Sequence, residues 1–309
     1  MFRTSLLIPT YNAGPEFENV LKSISIQSLT VDRKIIMDSE SSDETVCLAK
    51  KYGFETLTIK QVDFDHGYVR QLLSEAASDC DIFIYLTQDC ILKNEASIKH
   101  LVDAFAQQKV GIAYGRQLPH IGAKTLESHA RLFNYPSTSV VKKLSDKDKF
   151  GIKTASCSNS FAAYRNTALR DVGGFPSHTI FAEDVIVGGQ ILIKGWQIAY
   201  VADSEAYHSH DYTIKEEFKR YFDIGVFHST NIWLLNEFGS AGGEGFKYLK
   251  SELKYVIKNN PLVLPKMAMS IAAKFLGYKL GMLHEKLSLK QKKIFSMHSK
   301  YWDKLEKNK

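Results

Sequence analysis

The stretch DIFIYLTQDC (residues 81–90) runs from apolar, β-favouring residues straight into Asp89, with no Gly, Pro or Asn turn between. A carboxylate at the end of a buried strand is costly unless a cation, a set of donors or a helix N-terminus meets it. Asp89 is therefore a candidate to hold a metal or a ligand. YHSHDY (207–212) offers His208 and His210, two residues apart and so on one side of an extended chain. Either imidazole could ligate a metal, although no zinc-type Cys/His spacing accompanies them. FAEDV (181–185) places Glu183 and Asp184 at the start of an apolar helix, where the helix dipole favours acids whether or not they do chemistry. FDHGYVR (64–70) sets Asp65, His66 and Arg70 around Gly67 just before a helix. An imidazole, a guanidinium and a helix N-terminus can together hold a diphosphate or a sugar hydroxyl; the same residues can also make a plain surface turn. DSESSDET (38–45) carries more acids and hydroxyls than one helix cap needs.

The first hundred residues contain the elements that must position these groups. Strands are predicted over 5–9, 34–37, 55–59, 81–86 and 110–114, separated by helices over 17–28, 43–52 (capped by Ser41 or Ser42), 69–77 and 95–107. Strands alternating with helices of this length imply βαβ units and a mainly parallel open sheet flanked by helices. On that scheme Pro9, Thr10, Tyr11 and Asn12 close the first strand, Asp38 and Ser39 close the second, and Gln88 and Asp89 follow the fourth. All lie at the carboxyl ends of strands, where open α/β sheets bind ligands. Residues 120–153, with the basic run VKKLSDKDKFGIK, read as an exposed, mobile loop. Beyond them SNSFAAYRNTALRDVGGFP and the segment to about Val201 continue the sheet.

Composition bounds the class. With 309 residues, 44% of them hydrophobic and 24% charged, the chain can bury a proper core, either as one large domain or as a domain with an appendage. Four widely spaced cysteines and an opening apolar run too short for a leader point to the cytoplasm. The net charge of +6 is uneven, because residues 241–309 hold fifteen lysines against five acids while the body is slightly acidic. A basic tail suggests docking on an anionic surface, and a solvated helical face or a dimerising module fits as well. We expect a boundary at 238/239, with residues 1–238 catalytic and residues 239–309 a basic helical extension that docks on a membrane surface or forms a homodimer. No nucleic-acid-binding motif accompanies the charge, so no nucleic-acid partner is expected. P-loop, dinucleotide-binding and GxSxG signatures are absent.

The order LLIPTYNAG, DSESSDET, TQD, NSFAAYR…GGF…AED, YHSH resembles the inverting glycosyltransferases of family 2, over about residues 4–235. FDHGYVR, TQDC, YGRQLP and HSHDYTIKEEFKRYFDIGVF are similar to the rhamnosyltransferase branch that builds bacterial surface polysaccharides. The resemblance implies a GT-A fold and a divalent cofactor, Mg2+ or Mn2+. It also implies transfer of L-rhamnose from dTDP-L-rhamnose to a lipid-linked saccharide, with the enzyme peripheral on the inner face of the plasma membrane. Pro9, Thr10, Tyr11, Asn12, Asp38 and Ser39 would hold the nucleoside, and His66, Gly67, Arg70, Gln88, Asp89 and Asn159 the rest of the donor. Asp89 stands at the metal-binding end of the family's DxD-type motif, whose first aspartate is missing here, so the diphosphate and His208 or His210 would complete the shell. Asp184 matches the family's general base and Glu183 its neighbour; Arg165 and the Gly173–Phe175 turn would border the sugar. Another nucleotide sugar, or a non-catalytic sugar-nucleotide-binding protein of the same fold, fits the same residues. A nucleotidyltransferase on a related sheet would instead need a Gly-rich phosphate loop after the first strand.

Overall fold

Apolar runs and amphipathic stretches become nine strands and fourteen α-helices in a computed structural model that describes residues 2–239 and 243–307. The strands are β1 (Thr4–Thr10), β2 (Arg33–Asp38), β3 (Glu55–Thr58), β4 (Ile82–Leu86), β5 (Ile91–Leu92), β6 (Val110–Leu118), β7 (Val140–Lys142), β8 (Phe161–Arg165) and β9 (Gln197–Tyr207). The helices of the first half are α1 (Phe17–Ser25), α2 (Thr45–Lys51), α3 (His66–Ala76), α4 (Ser97–Asp103), α5 (Thr125–Asn134), α6 (Lys147–Phe150) and α7 (Asn166–Asp171). Those that follow are α8 (Glu183–Ile193), α9 (Ile214–Thr230), α10 (Ile232–Phe238), α11 (Glu244–Asn259), α12 (Leu264–Met282), α13 (Leu289–Phe295) and α14 (Ser299–Lys307).

All nine strands form one sheet, in the order β3-β2-β1-β4-β8-β6-β9-β5, with β7 also on β9. The pairings give β1, β2, β3, β4, β6 and β9 a common direction, as the helix–strand alternation predicts, while β5, β7 and β8 oppose it. Strand β8 lies antiparallel at the centre of the sheet, so the segment before it must cross back over the sheet. Side chains alternate across each strand. Leu6 and Ile8 enter a core with Phe17, Leu21 and Phe105 on one face, while Leu7 joins Val69, Leu73, Tyr85 and Phe222 on the other.

Three expectations need correction. Residues 120–153 are not a loose loop: they contain α5, β7 and α6, held down by contacts such as the Lys142 ammonium donating to the Lys153 carbonyl at 2.9 Å. Helix α2 starts at Thr45, and neither serine caps it, because Ser41 donates both its hydroxyl and its N–H to Asp38 at 2.6 and 2.8 Å. Helix α3 begins at His66, earlier than periodicity implies, because the Asp65 carboxylate accepts the Tyr68 N–H at 2.9 Å and caps it there.

The C-terminal helices pack on the body. Helix α12 lies against α9 through a stripe of small residues, where an added Cβ on Gly277 or Gly281 would meet the Phe218 or Phe222 carbonyl oxygen at 2.3 or 2.1 Å. Trp302 of α14 is buried, and Lys304 donates to the Phe64 carbonyl at 2.8 Å. The tail thus completes the core on the α3 and α9 face.

Candidate active site

Strand β9 runs out at Tyr207 and delivers His208 and His210 beside Asp89, which sits in the tight turn between β4 and β5. The His208 and His210 Nε2 atoms lie 3.5 and 3.7 Å from the Asp89 carboxylate, and one ligand atom from each residue falls within 4.8 Å of the others. Both histidines therefore converge on the aspartate. His208 is held from behind: its Nδ1 lies 2.9 Å from the Gln117 Oε1, which also accepts from the Arg131 guanidinium at 2.7 Å. An oxygen that already accepts from arginine can only accept from the ring, so Nδ1 carries the proton and Nε2 is left with a free lone pair facing Asp89. Burial would raise the pKa of Asp89, but the neighbouring His208 and His210 imidazoles and the adjacent Thr87 hydroxyl outweigh it and hold the carboxylate well below the usual range. One carboxylate and two imidazoles form a donor set that fits a divalent ion. The imidazoles favour Mn2+ over Mg2+, which prefers oxygen ligands and retains its water.

Helix α8 supplies the acid pair. Ala182, just before it, adopts a left-handed backbone with φ 58°, an unusual conformation for a residue with a side chain; it turns Glu183 and Asp184 inward together. The two acids are then treated differently. Glu183 forms a buried ion pair with Arg70 at 3.0 Å and accepts from the Asn159 amide at 2.8 Å; these outweigh burial and keep it ionised. Asp184 receives only N–H groups, from Asn159 at 3.1 Å and from Val185 at 2.8 Å. Burial first, and the Glu183 charge second, push its pKa up to about 7. Such a carboxylate can accept a proton near neutral pH.

A hydrogen-bonded path joins the two clusters. Gln117, which orients His208, donates to the Ser158 hydroxyl at 2.7 Å, and the next residue, Asn159, orders both acids. Gln117, Ser158 and Arg131 are site residues that the sequence reading did not name individually. Gln117 left a signal as a member of YGRQLP, a stretch that carries the resemblance without a role for this residue; Arg131 left none, since it lies in the segment read as a loop.

The rim expected to hold the nucleoside is built from the ends of β1 and β2. The Thr10 hydroxyl donates to Asp38 at 3.0 Å, the Tyr11 N–H donates to Gln88 at 2.8 Å, and the Asn12 side chain accepts the Ser42 N–H at 2.8 Å. Asp38 and Ser39 are buried, with the Asp38 oxygens engaged by Thr10 and Ser41, so Asp38 shapes this loop from inside while Tyr11 lies exposed. Pro9 pairs with Met37 in the ladder between them.

FDHGYVR does not form the expected donor clasp. Arg70 is buried on Glu183; Gly67 is where a Cβ would strike the Pro176 carbonyl oxygen at 1.7 Å; and the His66 ring meets Phe64 and His298, with centroids at 5.0 and 5.7 Å. The motif is a floor beneath the acid pair, because a buried carboxylate needs a buried cation more than the solvent-facing rim does. Arg165 also leaves the site, donating to the Phe105 and Val110 carbonyls at 2.7 and 3.0 Å.

Comparison with known proteins agrees with this architecture. The chain is 45% identical over 305 residues to the O-antigen chain rhamnosyltransferase RfbN of Salmonella typhimurium, covering 98% of this chain and 97% of that one. It is 41% identical over 303 residues to the O-antigen chain rhamnosyltransferase WbaN of Salmonella anatum, covering 98% and 96%. Among solved structures, the mannosyltransferase PcManGT from Pyrobaculum calidifontis, in complex with GDP-Man and Mn2+, superposes with a TM-score of 0.55 at 18% identity over 98% of this chain and 85% of that one. Residues 1–349 of TarS from S. aureus superpose with a TM-score of 0.56 at 13% identity, covering 92% and 91%. These likenesses identify the GT-A fold. The family profile described as glycosyl transferase family 2 matches residues 5–173, more than half the chain, and with relatives alike along its whole length the chain belongs to glycosyl transferase family 2 and is a glycosyltransferase.

Proposed function

We propose that the protein transfers L-rhamnose, with inversion, from dTDP-L-rhamnose to a lipid-linked saccharide during assembly of a surface polysaccharide. The names of the two relatives, alike over nearly the whole chain, support the sugar and the pathway class. The observation that carries the chemistry is the split acid pair, one carboxylate fixed as an ion and its neighbour raised to about 7, joined by hydrogen bonds to a three-ligand cluster. In the step, the acceptor hydroxyl oxygen forms a bond to the anomeric carbon as the carbon–oxygen bond to the diphosphate breaks. The hydroxyl proton goes to Asp184, and the electron pair leaves with the diphosphate. Asp89, His208 and His210 would hold a divalent ion, Mn2+ rather than Mg2+, which supplies charge neutralisation for the leaving group. Arg70 and Asn159 hold Glu183, and Asn159 aims Asp184. Residues 1–238 carry the reaction. Residues 239–309 complete the fold and rest on the cytoplasmic face of the membrane, where the acceptor's lipid lies.

The test is transfer of labelled sugar from dTDP-rhamnose to lipid-linked acceptor, with Mn2+ and after chelation. Turnover should require the ion. Asp89→Ala and His208→Ala should lose Mn2+ binding by calorimetry while remaining folded, and Asp184→Asn should bind donor without transferring. Preference for a UDP-hexose over dTDP-rhamnose overturns the donor; full rates for Asp184→Asn overturn the base.

A further inference from the structure

Next to the His208–His210 cluster, helices α5, α9, α11 and α12 enclose an open cavity of about 360 Å3 that reaches from His210 to Lys274. Five cationic side chains line it. Three are neutralised in place: Lys153 by Glu244 at 2.9 Å, Lys266 by Asp211 at 3.3 Å and Lys274 by Glu217 at 3.4 Å. The other two, Arg131 and Arg220, have no carboxylate partner among the described residues. Arg131 meets only the Gln117 oxygen at 2.7 Å and the Tyr135 ring at 5.9 Å, and Arg220 only the Tyr212 hydroxyl at 3.3 Å and its ring at 5.4 Å. Both line the same cavity as His210, and Arg131 also grips the Gln117 oxygen that holds His208, which sets the pair beside the metal-ligand cluster.

A guanidinium without a counter-ion in such a site is a fork that two anionic oxygens fill. We propose that Arg131 and Arg220 are a diphosphate-recognition site adjoining the Asp89–His208–His210 cluster. A diphosphate has oxygens enough to meet an ion at the cluster and both arginines at once, and the cavity leaves room for the group attached to it. Two ligands of the proposed reaction carry that chemistry: the departing nucleoside diphosphate and the diphosphate of a lipid-linked acceptor. Only the choice between them rests on the proposed reaction.

The probe is inorganic pyrophosphate with Mn2+, followed by isothermal calorimetry on the full chain. Arg220→Gln and Arg131→Gln should each weaken pyrophosphate binding by about tenfold or more, and in Arg220→Gln, which leaves the Gln117–His208 contact untouched, Mn2+ alone should bind within about twofold of wild type. Arg220→Lys, which keeps charge but not the fork, should fall between. If Arg220→Gln also raises the inhibition constant of dTDP and leaves the acceptor KM unchanged, the ligand is the donor's diphosphate. A raised acceptor KM, confined to acceptors that carry a diphosphate, identifies the acceptor's. Pyrophosphate binding within about twofold of wild type in both Gln variants overturns the site. A protein whose arginines bind pyrophosphate but which moves no rhamnose overturns the proposed donor and leaves this site standing.

Discussion

Glu183 and Asp184 are adjacent in sequence and opposite in behaviour, and the difference comes from one cation. Arg70 fixes Glu183 as an ion, and that ion, together with burial, raises Asp184 to about 7. A base must be deprotonated to work, so kcat/KM should rise with pH through about 7 and level off above it. Glu183→Gln removes the neighbouring negative charge. It should move that acid limb to lower pH, though not as far as an ordinary aspartate, because burial persists; a limb that stays in place refutes the coupling. Arg70→Ala leaves a buried carboxylate uncompensated. It should cost about 3–5 kcal/mol of stability in urea unfolding, far more than a residue that merely touched a donor at the surface.

Helix α12 shows how an element can dock without an apolar stripe. Its buried positions are Met267, Ser270, Ala273, Gly277 and Gly281, spaced three or four apart but mostly small, so hydrophobic periodicity reads it as featureless. What they allow is close approach, and Gly225 of α9 meets them with its own Cβ position 2.3 Å from the Tyr278 carbonyl oxygen. Backbone cannot yield as a flexible side chain can. Gly281→Val should force the helices apart and destabilise by about 1–3 kcal/mol, with a lowered melting temperature in calorimetry. An unchanged melting temperature would show that the crossing is looser than this packing.

For the whole molecule, the tail is both a structural part and a distinct surface. More than half of the exposed large apolar side chains lie beyond residue 243, among them Phe246, Leu262 and Phe275, in the segment that also holds most of the excess lysine. Among the described residues no helix is long and apolar enough to cross a membrane. Apolar tips among lysines suit adsorption to an anionic bilayer, where both contribute to binding. Deleting residues 239–309 is a poor test, since it would strip α9 of α12 and remove Trp302 from the core. Leu262→Asp and Phe275→Asp change exposed positions and should each weaken the partition onto anionic vesicles by about tenfold or more, the equivalent of burying one large side chain. Equal partition of wild type and both variants would leave the tail a purely structural module.

The sequence by itself determined the alternating α/β plan, the rim on which Thr10, Asp38 and Asp89 gather, and the pairing of His208 with His210. Each of these follows from local periodicity: strands alternate, βαβ units are right-handed, and residues two apart on an extended chain share a side. Only the tertiary structure decided that Arg70 belongs to Glu183, that Gln117 sets the proton of His208, and that Arg131 comes to the cluster from a segment read as a loop. Those are contacts between residues far apart in the chain. Neither partner carries a local sign of the other, and the free energy that selects them, pairing a buried charge or satisfying a buried amide, exists only once the chain has closed around both.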